Sequence, residues 1–303
     1  YKRQVEQQRH LLASAPTDYD RYAAARIMAE EQRHGWQMAY LLMTYFGQQG
    51  RREAQKLLER NAQDGDRLLG AFNRPMPHWL DFFCYTMFVD RDGKFQLGML
   101  STSAFKPLAG SMGPMLKEES FHLGTGSNGL RRIIKAGVIP LDMLQRYINK
   151  WVATAHDLFG VDASSSAHWA YVWGIKGRWD ERKKLDAGIE VNKEVLNEES
   201  RGHYHEEIVA EVKKLCGYLP EGATDLYVPH ENFNRDIGAT KGQNFNVDGT
   251  PFSGTDEEYA TYLTTVLPTA QDEIDLKELF EQEWIANKPM STRQIESGIG
   301  ATA

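Results

Sequence analysis

Glu30-Glu31-Gln32-Arg33-His34 and Glu118-Glu119-Ser120-Phe121-His122 are the two stretches on which the reading of this 303-residue chain turns. Each contains Glu-x-x-His, a carboxylate and an imidazole three residues apart. On a helix that spacing puts both side chains on one face, one above the other. One copy is a common accident. Two copies, each on an apolar helical face, are the pattern of a four-helix bundle that holds two metal ions between carboxylates. Around the first copy the apolar stripe runs Ala24, Ile27, Met28, then Met38, Leu41, Leu42 and Tyr45, while Arg26, Glu30, Arg33 and Gln37 fall on the other side. Around the second, Leu108, Met112 and Met115 lead up to Glu119. A carboxylate in the middle of a hydrophobic stripe costs several kcal/mol unless it is paired, neutralised or bound to a metal. A solvated Glu and a capping His on a surface helix would account for one copy but not for two.

A site of this class takes one further carboxylate from the helix preceding each Glu-x-x-His helix. Antiparallel helices joined by a turn bring residues equidistant from the turn level with one another. Asp90 and Glu119 are 29 residues apart with their midpoint at Ala104 and Phe105, inside the connection read at Ser101 to Pro107. Asp90 therefore joins the set. In the first half the turn sits near Pro16, which places the partner of Glu31 near residue 1, where Tyr1 stands. Glu6 lies about 7.5 Å further along the axis, at ~1.5 Å rise per residue. The expectation is a chain that begins just after its missing ligand, with Glu6 as the alternative in a distorted site. The metal ligands expected are thus Glu31, His34, Asp90, Glu119 and His122. Oxygen-rich ligands with one imidazole per metal suit iron or manganese over zinc, and two iron ions if dioxygen is the substrate.

The rest of the chain reads as all-α: a ferritin-like four-helix bundle with additional helices over residues 1–217 and an irregular C-terminal extension over 218–303. Helices are expected over 2–13, 17–46, 51–65, 78–100, 108–124, 141–159 and 180–217. The 78–100 helix should continue through Gly93 with a distortion, and a kink or late start is expected near Gly110, Gly113 and Pro114. On 180–217, Ile189, Leu196, Ile208, Val212 and Leu215 are candidate core residues. After Pro220 the helical period is lost, yet Tyr227, Phe233, Phe245 and Phe252 make the segment too apolar for free disorder. Composition is ordinary for a soluble globular protein, 41% hydrophobic and 25% charged. A net charge of −7 with no long basic run points away from nucleic acid. No apolar run reaches the ~18 residues of a membrane span. Two distant cysteines, Cys84 and Cys216, form no thiolate site, and a cytoplasmic location is the default.

The runs Glu31-Gln-Arg-His34-Gly-Trp36-Gln-Met, Glu119-Ser-Phe-His122-Leu-Gly-Thr-Gly126, Leu130-Arg-Arg-Ile-Ile-Lys-Ala-Gly137 and Asn197-Glu-Glu-Ser-Arg-Gly-His203-Tyr-His205 resemble the oxygenase components of benzoyl-CoA 2,3-epoxidases. The resemblance covers essentially the whole chain, although that family's proteins begin well before residue 1. It implies a class I di-iron monooxygenase with Glu31, His34, Asp90, Glu119 and His122 as iron ligands. It further implies insertion of one oxygen atom of O2 across the 2,3-bond of the benzoyl-CoA ring, as in aerobic benzoate degradation. Electrons would come from a separate reductase carrying FAD and an iron–sulfur cluster and fed by NADPH. A ferritin-like ferroxidase, or another di-iron hydroxylase or desaturase, would carry the same ligands; the long irregular extension argues against iron storage.

Three further features carry weaker expectations. Gly124-Thr-Gly126-Ser-Asn-Gly129 matches a dinucleotide fingerprint but follows a helix, with no βαβ unit around it, so it is read as a coincidence. Arg131, Arg132 and Lys135 could receive the phosphates of coenzyme A, although a surface cluster needs no ligand. His203-Tyr204-His205, with Glu198 and Glu199 before it, is read as a solvated, ion-paired helix and not as a second metal site.

Overall fold

The computed structural model describes residues 2–60, 65 and 70–280. In chain order the helices are α1 (Lys2–Gln8), α2 (Asp18–Tyr45), α3 (Gly47–Glu59), α4 (Trp79–Cys84), α5 (Asp90–Ser101), α6 (Lys106–Ala136), α7 (Leu141–Leu158), α8 (Ser165–Val172), α9 (Glu181–Asp186), α10 (Leu196–Cys216), α11 (Asp256–Val266) and α12 (Ala270–Phe280). Tyr85–Val89 forms a π-helical turn that joins α4 to α5 without a break. Among the described residues there is no strand, only an isolated bridge between Phe245 and Pro251. No described helix is long and apolar enough to cross a membrane.

Local chemistry accounts for the boundaries. Thr17 caps α2 by accepting from the Asp20 amide, and His78 does the same for α4 through Asp81. Gly137, at φ +66°, ends α6 in the left-handed conformation that glycine adopts without strain. α2, α4–α5 and α6, with short α1 at one end, form the ferritin-like bundle, and α7 packs against α4 and the π turn. The core between them is aromatic: Trp79, Phe82, Phe83, Phe88, Tyr147 and Trp151 are fully enclosed with Leu130, Ile133 and Ile148. Such rings bury the most area per residue and dominate the stability of a core.

The expected distortion near Gly93 exists, but it lies upstream as the π turn, and Gly93 itself is helical. The second Glu-x-x-His helix neither starts late nor stops at Gly124. It runs from Lys106 to Ala136 with Pro114 inside it, because Pro107 at its start and the close packing described below hold the whole length against α4 and α5. The 180–217 helix is two helices, α9 and α10, separated by a loop with Gly188 at φ +70°. Ile189 in that loop is exposed, whereas Leu196, Ile208, Val212 and Leu215 are core as expected. Helix α8 has a near-uniform, weakly periodic sequence and escapes a periodicity reading. Tyr45, at the end of the α2 stripe, is exposed with its ring edge-on to Phe105.

From 218 to 255 the chain is irregular and is tied to α7 by side-chain amides. Gln145 donates to the Tyr227 carbonyl and accepts from its amide, both at 2.9 Å. Asn149, fully buried, donates to the Val266 carbonyl. Phe233 is enclosed and Phe245 nearly so, while Tyr227 is exposed. Residues 281–303 of the expected extension lie outside the described residues.

Candidate metal centre

Glu31 and His34 from α2, Asp90 at the start of α5, and Glu119 and His122 from α6 are all buried. Ligand atoms of Glu31, Glu119 and His122 lie within 4.8 Å of one another. The Nδ1 atom of His122 is 3.4 Å from Glu119 Oε2, 3.5 Å from Glu31 Oε1 and 3.6 Å from Asp90 Oδ2. His34 Nδ1 lies 3.5 Å from the same oxygen, Glu31 Oε1. All five residues read from the sequence therefore converge on one spot. Gly93 on α5 faces the Glu119 carboxylate, and a Cβ there would only touch it, at 3.8 Å.

The outer nitrogens of the imidazoles reveal two residues that the sequence reading left aside. His34 Nε2 meets Glu118 Oε2 across the bundle at 2.6 Å, and His122 Nε2 meets Glu30 Oε2 at 3.0 Å. Each motif thus brings its own Glu and His to the cluster and lends a second carboxylate to the histidine of the other helix. Glu30 was assigned to the solvent side of α2; its side chain instead leans over the seam to α6, shielded by Arg26 at 2.8 Å. Arg33 does the same for Glu118. The doubled Glu in both motifs is the signal that marks these residues.

Electrostatics set this cluster apart from a relaxed ion-pair network. Burial and the neighbouring Glu119 push the Asp90 carboxyl well above its usual range. Burial raises Glu119 too, aided by Glu31 and opposed by His122. Burial disfavours the charged form of His122, but Glu119, Glu30 and Asp90 outweigh it and lift its pKa to about 11. His34 is raised for the same reason by Glu31 and Glu118. The carboxylates are thus crowded and the protonated form of each imidazole is favoured, which is what an acid-rich pocket does without a metal. Glu119 Oε2 and His122 Nδ1 are nevertheless buried without a hydrogen-bond partner. A carboxylate oxygen and an imidazole nitrogen, both orphaned and aimed at one point, fit a cation, and the oxygen-rich set with one imidazole per metal fits iron or manganese.

A cavity of about 300 Å³ reaches the cluster. Glu31, Asp90 and Glu119 stand on its wall with Phe72, Tyr85, Val89 and Leu158, and Asp92 and Gln96 add a polar corner. Burial raises the Asp92 carboxyl to about 7, against the hydrogen bond from Gln96. Glu6, the alternative ligand, lines a different cavity with His10 and Met76.

The glycine run is part of the bundle's packing, in the middle of α6. A Cβ on Gly126 would sit 2.4 Å from the Met87 amide nitrogen, and one on Gly129 would sit 2.1 Å from the Phe83 ring. The absence of side chains lets α6 approach the π turn, and with it Asp90.

Of the three basic residues expected at coenzyme A phosphates, Arg132 is committed elsewhere. It turns inward and forms a two-pronged pair with fully buried Asp20, one prong at 3.0 Å. Arg131 and Lys135 remain beside Tyr218, their charges 5.8 and 5.0 Å from its ring centre. Replacing Asp20 by Ala removes the buried carboxylate that pairs with Arg132 and should cost about 3–5 kcal/mol, read as a fall in denaturation midpoint. Around His203, Asp180 and Glu199 gather, but Arg178 and Lys184 already bridge both carboxylates. The ion pairing expected is present, but Arg178 and Asp180 are buried, so the cluster is not a solvated helix face.

Comparison with known proteins bears on this geometry. The family described as Phenylacetic acid catabolic protein matches residues 4–227, a span that contains every residue of the cluster. The chain belongs to this family. Benzoyl-CoA oxygenase component B of Aromatoleum evansii is 36% identical over an alignment covering 89% of this chain. The chain spans 66% of that relative's length. The resemblance read from the four runs of sequence is thus met by a relative named as a benzoyl-CoA oxygenase component.

Proposed function

We propose that the chain is the oxygenase component of an aryl-CoA monooxygenase, with benzoyl-CoA as substrate, and that Glu31, His34, Asp90, Glu119 and His122 hold two iron ions. The observation that carries this reading is the convergence of orphaned, buried Glu119 and His122 atoms with Glu31 beside an aromatic-walled cavity. The relative's name supports the thioester and, by the word component, a partner. Two bound Fe(II) ions would supply the two electrons needed to activate dioxygen for insertion across the ring's 2,3-bond. An NADPH-dependent reductase with FAD and an iron–sulfur cluster would restore those electrons.

The chain's own residues have defined tasks in this scheme. Glu118 and Glu30 accept from Nε2 of His34 and His122, so each ring keeps its proton there and presents the Nδ1 lone pair to the metal. Because Glu30 and Glu118 favour the protonated imidazoles, a metal would compete with protons for them, and metal uptake weakens as pH falls. Phe72, Tyr85, Val89 and Leu158 offer a flat apolar ring a berth beside the carboxylates.

The expected result is that protein given Fe(II), reductase, NADPH, O2 and benzoyl-CoA forms an oxygenated thioester, detected by mass spectrometry with one ¹⁸O atom from ¹⁸O2. Iron uptake and oxidation with no thioester product would favour a ferroxidase and sink the oxygenase reading.

A further inference from the structure

A π turn carries one more residue than an α turn and leaves carbonyls without their usual amide partners. In Tyr85–Val89 those carbonyls are met by side chains. The Arg91 guanidinium donates to the Met87 carbonyl at 3.2 Å; just before the turn, Thr86 adds a 2.9 Å bond to the Phe82 carbonyl, which also accepts from the Tyr85 amide. The Phe88 carbonyl receives its bond from a remote helix: the hydroxyl of Tyr204 on α10, at 3.1 Å. Tyr204 is fully buried, its ring against Phe159 and His156. One helical turn further along α10, Glu207 binds Arg91 and, at 2.8 Å, Lys94. Helix α10 thus grips the backbone two residues before Asp90 and the side chain immediately after it. Asp90 is held in register between these two grips, its amide bonded to the Tyr85 carbonyl.

We infer that Tyr204 and Glu207 are positioning residues that aim Asp90 at the metal pair through the π turn. The inference rests on the di-metal reading above. Packing alone does not require it, because the ring of Tyr204 would fill the same space without its hydroxyl. A displaced π turn would withdraw Asp90 while leaving Glu31 and His34 on α2 in place, so the loss should fall on one metal of the two.

The test is titration of the purified protein with Mn(II), followed by calorimetry and by the electron paramagnetic resonance of a coupled metal pair. Wild type should take two equivalents. Tyr204→Phe should bind the second at least about tenfold more weakly, the scale seen when a partner of a metal ligand is removed, and lose the coupled-pair signal. Tyr147→Phe, which gives up an equally buried phenol contact with His78 at 2.8 Å, should bind both like wild type. Undiminished second-site binding in Tyr204→Phe overturns the inference, as does an equal loss in Tyr147→Phe. Should Tyr204→Phe fail to fold, Glu207→Gln decides in its place, and unchanged affinity there overturns it. No Mn(II) or Fe(II) uptake by wild type would sink the metal reading itself, and this inference with it.

Discussion

Replacing Glu119 by Gln should make the metal-free protein melt higher while weakening iron binding by at least about a hundredfold. The two effects share one cause. Glu119 is buried beside Asp90 and Glu31, and without a cation their mutual repulsion and desolvation oppose folding. An amide of the same shape removes one of those charges. The gain should be on the order of 1 kcal/mol, or about 2 °C for a chain of this size. Because the Glu119 carboxyl is raised above its unfolded value, it stabilises the fold only while protonated, and that contribution fades as pH rises through the folded-state value. The advantage of the Gln variant over wild type should therefore grow with pH. With iron present the order reverses, since only wild type gains the free energy of metal binding. Calorimetric melts with and without Fe(II) measure both signs; a lower melting point for the metal-free variant would contradict the repulsion argument.

The second large effect is expected at Gly126. Its substitution by Ala places a methyl 2.4 Å from the Met87 nitrogen and 2.7 Å from the Phe83 carbonyl oxygen. Backbone atoms cannot swing aside as a side-chain tip can, so α6 must retreat from the π turn. A cost of about 3 kcal/mol or more follows from overpacking of this kind. Iron affinity should fall too, because the same movement separates Glu119 and His122 from Asp90. Gly124→Ala, two residues away, meets nothing within 4 Å and should stabilise α6 by about 0.5–1 kcal/mol through helix propensity. Thermal denaturation of the two variants side by side checks the contrast; equal effects would mean that the close approach is not what the glycine serves.

The five clustered residues were legible because each obeys a rule with a fixed length. Glu-x-x-His follows from the helical repeat, and Asp90 follows from equal distances about the turn at Ala104 and Phe105. What lay between helices was not legible. Whether Glu30 faces water or His122 depends on how α2 is rotated against α6, and the period of one helix does not contain that angle. The π turn gives no mark in Tyr85-Thr86-Met87-Phe88-Val89, since an apolar run reads the same whether its bonds span four residues or five. The charged stretch Glu181–Asp186 has helical composition, but Gly188 and the exposed Ile189 show that it stops before α10 begins. Arg132 looked like its neighbours Arg131 and Lys135 until the fold turned it toward Asp20.

The most direct measurement is the anomalous scattering of crystals grown with Fe(II), recorded on both sides of the iron absorption edge. The account predicts two peaks among Glu31, His34, Asp90, Glu119 and His122, with Glu118 and Glu30 hydrogen-bonded behind the two imidazoles. Absence of iron there, or iron bound instead at Asp180, Glu199 and His203, would contradict it.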